Sequence, residues 1–353
     1  MREIIPSKVK LARKASRLSM DDLIARMGDK AISKVSVSKI ERGLLRPSLS
    51  SLQAIADACQ VPLSFFYDEG LSIGKLDFRF DKDMPVKKAE QIKAMVFSEI
   101  QKYFSLESNW PVKSEKPNLL QRRVIQSYAD AEDAACRLRK KWELGQQPIF
   151  SVYELLESHG IRVMELSIDE SSVLGLSTFV NRSVPVVIIN VITNQTTERK
   201  RFTALHELAH LMLNLRPQPE STPVYDTLSY KVTIPPATTE RLCHYFAIAM
   251  LLPKPCLQMR LGEVRFRLTL PELISIRSMY GASIAAIIHR AHDLAMIDDE
   301  EYNNLYDNLI NLNAMEEGWG TFPIMEKADR FPLLEERIKA EIPLLNKHEE
   351  SKF

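Results

Sequence analysis

The chain has 353 residues, 45% of them hydrophobic and 26% charged, an ordinary globular composition whose length suggests two or three domains with ample material for buried cores. No apolar run approaches the roughly 20 residues of a membrane span, and the opening MREIIPSKVKLARKAS lacks a signal peptide's apolar centre, so the sequence predicts a cytoplasmic protein with no membrane partner. The net charge of +1 hides an asymmetry: residues 1–60 carry 12 Lys and Arg against 6 Asp and Glu, and a basic module on a neutral chain points to nucleic acid.

In chain order, residues 7–67 read as five short helices. LARKASRL sets Leu11, Ala15 and Leu18 on one face; Ser19 caps MDDLIARMG, which stops at Gly28; Ser33 caps KVSVSKIERG, which stops at Gly43; LSSLQAIADACQ then leads to Pro62 and the apolar turn LSFFY. Residues 68–85 carry the turn and charge signals of a connector. From Val86 to Trp110, the spacing of Ile92, Val96, Ile100 and Tyr103 predicts a long amphipathic helix. PVKSEKPN breaks it, and 119–144 resumes as a helix with Val124, Tyr128, Ala131, Ala135, Leu138 and Trp142 along one side.

Beyond Gly145 the pattern turns mixed: a helix SVYELLESHG, a strand IRVMEL, a hairpin GLSTFVNRSVPVVIIN turning at Asn181 and Arg182, and a long helix TTERKRFTALHELAHLMLN. The tail from about 344 is expected to fray. Cys59, Cys136, Cys243 and Cys256 lie far apart without a C-x-x-C pair and read as buried thiols.

The stretch HELAH, 206–210, carries the chemistry. Residues four apart share one helix face, so His206 and His210 can direct their imidazoles at one ion while Glu207 reaches a water on it. That is the layout of zinc hydrolysis, in which the metal acidifies water and the carboxylate takes the proton and passes it to the leaving nitrogen. An edge strand of the preceding hairpin, which contains VPVVIIN, is what an extended peptide would pair with. A third protein ligand is needed, and the next helical segment, TTERLCHYFAIAMLLP, offers Glu240 and His244 on one face.

RKRFTALHELAHLML followed by ERLCHYFAIAMLLP resembles the ImmA/IrrE family of zinc metallopeptidases. The resemblance covers roughly 120–300 and implies a zincin-like α+β fold with Zn2+ held by His206, His210 and Glu240 and with Glu207 as general base. Phe246, Ala247, Leu251 and Pro253 match the second motif. The chain departs from it at Cys243, where the family has alanine, and at His244, where it has asparagine, so His244 stands as an alternative metal ligand or transition-state residue.

ISKVSVSKIERG with RPSLSSLQAIADACQVPLSFFY resembles the Cro/repressor-like (XRE) helix-turn-helix domain. The gap between Gly28 and Ile32 is about three residues longer than in the shortest members and is placed in the turn. In such a domain Lys34, Val35, Ser36 and Lys39 would face base edges in the major groove, and Arg42, Arg46 and Ser48 would meet phosphates. Met20 replaces the glutamine that usually opens the second helix. Arg13 and Glu41 read as an ion pair tying the first helix to the third.

Other constellations carry less. Arg199, Lys200 and Arg201 are expected on a solvated face and LRKKWELG as an amphipathic helix end; of the other histidines, His159, His289, His292 and His348, the i, i+3 pair His289 and His292 lacks a carboxylate partner at motif spacing and is expected at the surface or the edge of a core. The sequence thus predicts a multidomain chain: an all-α helix-turn-helix domain over 1–68, a helical connector over 69–118, an α+β zincin-like metallopeptidase domain over 119–300, and a C-terminal helical extension and tail over 301–353. The expected function is a homodimeric, operator-binding regulator whose zinc peptidase domain cleaves a regulatory protein such as a repressor. The alternatives are a transcription factor whose metallopeptidase fold senses a ligand, and an antitoxin that binds a toxin.

Overall fold

The computed structural model describes residues 6–61, 63–66, 84–108, 116–120, 123–217, 235 and 237–337. The connector over 68–83, the tail from 344 and His348 lie outside them. The chain divides into two compact units, Met1–Lys113 with Val180–Arg182 and Asp329–Phe353, and Ser114–Phe179 with Ser183–Ala328.

The first unit opens with α1 (Pro6–Ala15), α2 (Met20–Met27), α3 (Lys34–Glu41) and α4 (Leu49–Cys59). Side-chain hydroxyls set three of the starts: Ser19, Ser33 and Ser48 each accept a backbone N–H from three residues on, satisfying donors the helix itself cannot. Gly43 follows α3 at φ +74°, the left-handed conformation that stops a helix most cheaply in glycine. The extra residues between α2 and α3 form a 3-10 turn, Gly28–Lys30, and leave the length of α3 untouched. Leu63–Phe66 closes the bundle as a second 3-10 turn.

α1 departs from the expected 11–18 span. It starts at Pro6, and its buried face is Val9, Ala12 and Arg13, while Leu11 and Ala15 are half-buried. The Arg13 guanidinium donates twice to the Glu41 carboxylate, at 2.6 and 3.0 Å, as the sequence predicts, and this pair draws the Arg13 face inward. Val9, Leu23, Val37, Leu52, Ile55 and Phe66 form the core. The long helix α5 (Val86–Ser108) buries Ile92, Val96, Ile100 and Tyr103 as expected, and Tyr103 stacks on Phe331.

The second unit contains α6 (Tyr128–Lys141), α7 (Val152–Ser158), α8 (Thr197–Met212), α9 (Thr239–Leu251), α10 (Lys254–Leu261), α11 (Leu270–Tyr280), α12 (Ile284–Asp293) and α13 (Asp299–Leu305). Its strands are β1 (Val124–Ile125), β2 (Arg162–Leu166), β3 (Gly175–Val180), β4 (Val184–Asn190) and β5 (Asn214–Leu215). The helix expected over 119–144 is shorter: Ser127 and Asp130 form a capping box that starts α6 at Tyr128, and Val124 and Ile125 instead pair in parallel with Asn214 and Leu215.

The main sheet has the order β2-β4-β3, with β2 parallel to β4 from Arg162↔Val186 to Leu166↔Asn190. Asn181 and Arg182 turn the β3–β4 hairpin at φ +52° and +60°. VPVVIIN is therefore the middle strand, buried from Pro185 on, and β3 is one of the two edges among the described strands. α8 packs on β4 and on α9, and α9 packs on α6.

Two of the sequence expectations for side chains fail here. Arg201 is fully buried: it ion-pairs with Glu326 at 2.6 Å and donates to the carbonyls of Ile149, Phe150, Tyr280 and Gly281. Of the trio expected on a solvated face, only Arg199 is exposed; Lys200 is half-buried and pairs with Glu165. Cys136 is exposed because α6 turns Ala131, Ala134, Ala135 and Leu138 to the core, whereas the other three thiols are buried. Periodicity cannot anticipate an arginine whose hydrogen bonds all go to distant loops.

Glu326 also accepts from Ser151 Oγ and from the backbone N–H groups of Val152 and Tyr153, so it caps α7 while neutralising Arg201. Glu316 does the same for α12, accepting from Ile284 and Ala285 N–H while paired with Arg277, which also holds Glu198 at the start of α8. Glu326→Ala would strand a buried guanidinium and is expected to cost about 3–5 kcal/mol, seen as a lowered urea midpoint for this unit. Replacing Arg201 and Glu326 together by methionine and leucine should cost less than Glu326→Ala alone.

Candidate functional site

Thr196 caps α8 by accepting from Arg199 N–H, and Thr238 caps α9 by accepting from Arg241 N–H. Those two starts fix the phase of each helix, so His206 and His210 of α8 face Glu240 in the first turn of α9. The Nε2 atoms of His206 and His210 are 3.0 Å apart, and Glu240 Oε2 lies 3.3 Å from the first and 3.9 Å from the second. One donor atom from each residue falls within a 4.8 Å cluster, a spacing one ion can bridge. Two imidazole nitrogens and a carboxylate oxygen suit a borderline divalent metal, so the residues present fit a metal centre. The imidazoles are about 10% exposed and the carboxylate 44%, so the site is walled by α8 and open beside Glu240.

Glu207 is buried, and Ser177 Oγ on the edge strand donates to its Oε2 at 2.8 Å. Gly175, at the start of the same strand, lets backbone approach α8: a Cβ there would stand 2.7 Å from Thr203 Cγ2 and 3.0 Å from Glu207 Cγ. On the other side, Cys243 Sγ lies 3.2 Å from His210 Nδ1, so the departure from alanine at 243 places a polarisable partner behind a ligand candidate. The structure brings His206, His210 and Glu240 together, with Glu207 next to them on α8. His244 stands outside that cluster, its ring 4.6 Å from the ring of His206 and 5.6 Å from Phe202.

His244 and Phe202 border a cavity of about 470 Å³ whose lining includes Tyr128, Tyr245, Tyr302 and Asp293. Burial raises the Asp293 carboxyl from its ordinary 3.8 to about 6, outweighing the positive charges of Arg290, His292 and Arg241. His292 is itself buried and bonds Asp299 at 2.9 Å, and His289 meets the Tyr302 hydroxyl at 3.0 Å, both at the cavity edge. His159 stacks on Trp142.

On the helix-turn-helix unit, Lys34, Val35 and Lys39 are exposed along α3, and Ser36 is half-buried with its hydroxyl 2.9 Å from that of Ser33. Lys34 meets Asp21 in a solvent-exposed pair, a contact weak enough for a nucleic acid to displace. Arg42 and Arg46 are exposed beyond the end of α3, and Ser48 serves as the cap of α4. Sequence reasoning missed Ser177, Gly175 and Asp293, each of which meets the site only through tertiary packing.

An all-α DNA-binding bundle on the same chain as a His/His/Glu cluster defines a class, that of regulators carrying a metallopeptidase-like domain. Residues 9–66 match the helix-turn-helix family, and residues 156–292 match the IrrE N-terminal-like domain, a peptidase family. The chain joins an XRE-type helix-turn-helix domain to an ImmA/IrrE-type metallopeptidase-like domain. No curated protein and no solved structure matches it. No helix among the described residues is long and apolar enough to cross a membrane.

Two measurements check this geometry. Gly175→Ala should cost about 1–3 kcal/mol by overpacking, detectable by urea denaturation; an unchanged midpoint would contradict the close approach of β3 to α8. Because folding raises the Asp293 pKa, the folded state binds its proton more tightly, and stability is lost as pH rises from about 4 to about 6. Asp293→Asn removes that loss, so its gain in Tm should be larger at pH 8 than at pH 5.

Proposed function

We propose that the chain is a cytoplasmic, homodimeric transcriptional regulator that binds operator DNA through α3 and hydrolyses a regulatory protein at a zinc centre held by His206, His210 and Glu240. The observation that carries the reading is the convergence of these three donors beside a carboxylate fixed by Ser177. Zinc bound there would supply Lewis acidity to water and to a substrate carbonyl. Glu207 accepts the proton of the attacking water and later delivers it to the leaving nitrogen, and the Ser177 hydroxyl holds one of its oxygens so that the carboxylate keeps its orientation. β3, at an edge of the described sheet and beside Glu207, is the strand along which an extended polypeptide would align. His244, whose ring lies 4.6 Å from that of His206, would meet the substrate or serve as a substitute ligand.

On the DNA side, Lys34, Val35, Ser36 and Lys39 read base edges, while Arg42, Arg46 and Ser48 hold phosphates. Two copies are required to engage half-sites one helical turn apart. The replacement of the family's alanine and asparagine by Cys243 and His244 favours one second reading, a metal or ligand sensor that retains the fold without hydrolysis.

The test uses the zinc-loaded full chain and a proteome-derived peptide library, with new N-termini read by mass spectrometry. Wild type should generate them, and Glu207→Gln should reduce their rate about 100-fold or more while retaining zinc. The same termini at the same rate from both proteins would leave the sensor reading. For DNA, Arg42→Ala should weaken operator and non-operator binding alike and reduce the slope of log K against log salt by about 1.

A further inference from the structure

The cavity bordered by His244 holds a chemistry that hydrolysis at the metal cluster does not use. Asp293, the last residue of α12, lines it, and among the described residues its carboxylate accepts no hydrogen bond. Half-buried and without such a bond, this carboxylate is incompletely hydrated, and burial raises its pKa. Two arginines lie near it: Arg290 pairs with Glu132 at 2.7 Å and lies over the Tyr245 ring, and Arg241, on the first turn of α9, shares the cavity's lining with its side chain exposed to solvent. His292 is tied to Asp299 and His289 to Tyr302. Aromatic rings make up much of the remaining lining, beside Ile248 and Ala286, with Tyr128 and Tyr245 in ring contact at 5.1 Å and Tyr302 tilted over His292 at 4.4 Å.

A carboxylate at one end of an aromatic-walled cavity is a receptor for a long cation, since ring faces attract positive charge and cover an aliphatic stem. At about 470 Å³ the space lies in the range of ligand pockets and well above that of a packing defect. It adjoins the metal cluster through His244, whose ring faces that of His206. We propose that this cavity is a specificity pocket for a lysine or arginine side chain of the polypeptide substrate, with Asp293 receiving the cation and Tyr128, Tyr245 and Tyr302 enclosing its stem. The proposal rests on the reading of the centre as a peptidase and adds to it the substrate's side-chain class.

Binding and cleavage are measured separately so that the two can fail separately. The full chain carrying Glu207→Gln, loaded with zinc, is titrated by calorimetry with acetyl-Ala-Ala-Xaa-Ala-Ala-amide, where Xaa is arginine, lysine, norleucine or glutamate. Arginine and lysine peptides should bind at least about tenfold more tightly than the norleucine peptide, and the glutamate peptide most weakly. Asp293→Asn in the same background should remove that preference, and Asp293→Ala should repeat the result. Equal binding of all four peptides, a preference that survives both substitutions, no binding of any peptide, or tighter binding of free spermidine than of the basic peptides would each overturn the proposal. Cleavage of the same peptides by wild type reads the catalytic assignment: peptides bound with the basic preference but left uncut would sink hydrolysis and leave the pocket standing.

Discussion

The buried ion pair between Arg201 and Glu326 is the constraint on which the metallopeptidase-like unit depends. Arg201 lies one turn and a residue before His206 on α8, and its five donors reach a carboxylate and four backbone carbonyls from separate parts of the chain. A buried pair of this kind adds little net stability, because desolvation offsets most of the attraction. Its effect is positional: any rotation of α8 would strand a guanidinium and the capped start of α7 at once. Gly281, at φ +63°, is needed for the same contact, because a Cβ there would sit 2.5 Å from Arg201 Nε.

With α8 fixed in this way, the metal cluster follows from helix geometry. The i, i+4 spacing stacks His206 over His210, and the cap at Thr238 sets Glu240 opposite them. Glu207, one residue round the helix, points instead toward the sheet, where Gly175 makes room and Ser177 provides a hydrogen bond. His206 and His210 thus face α9 while Glu207 faces the sheet, from one helix.

Much of this was legible in the sequence because it is local. Caps at Ser19, Ser33 and Ser48, the stop at Gly43, the Arg13–Glu41 tie and the histidine spacing are encoded within a few residues or by a family motif. What was not legible depends on long-range packing. Arg201 read as solvated because charge in a basic trio predicts exposure, yet its partner lies 125 residues away. VPVVIIN showed a strand but not that β2 would pair on its other side, and nothing near Ser177 or Asp293 marks either as part of a site. The over-extended helix at 119–144 arose from apolar spacing that continued past a serine and aspartate able to start the helix afresh.

The central claim is that HELAH and the first turn of α9 hold one metal ion, and zinc content by plasma mass spectrometry tests it most directly. The account predicts one zinc per chain in the purified wild type, lost in Glu240→Ala and kept in His244→Ala. A wild type that takes up no zinc after reconstitution would contradict it, and loss with His244→Ala but not Glu240→Ala would move the third ligand one turn along α9.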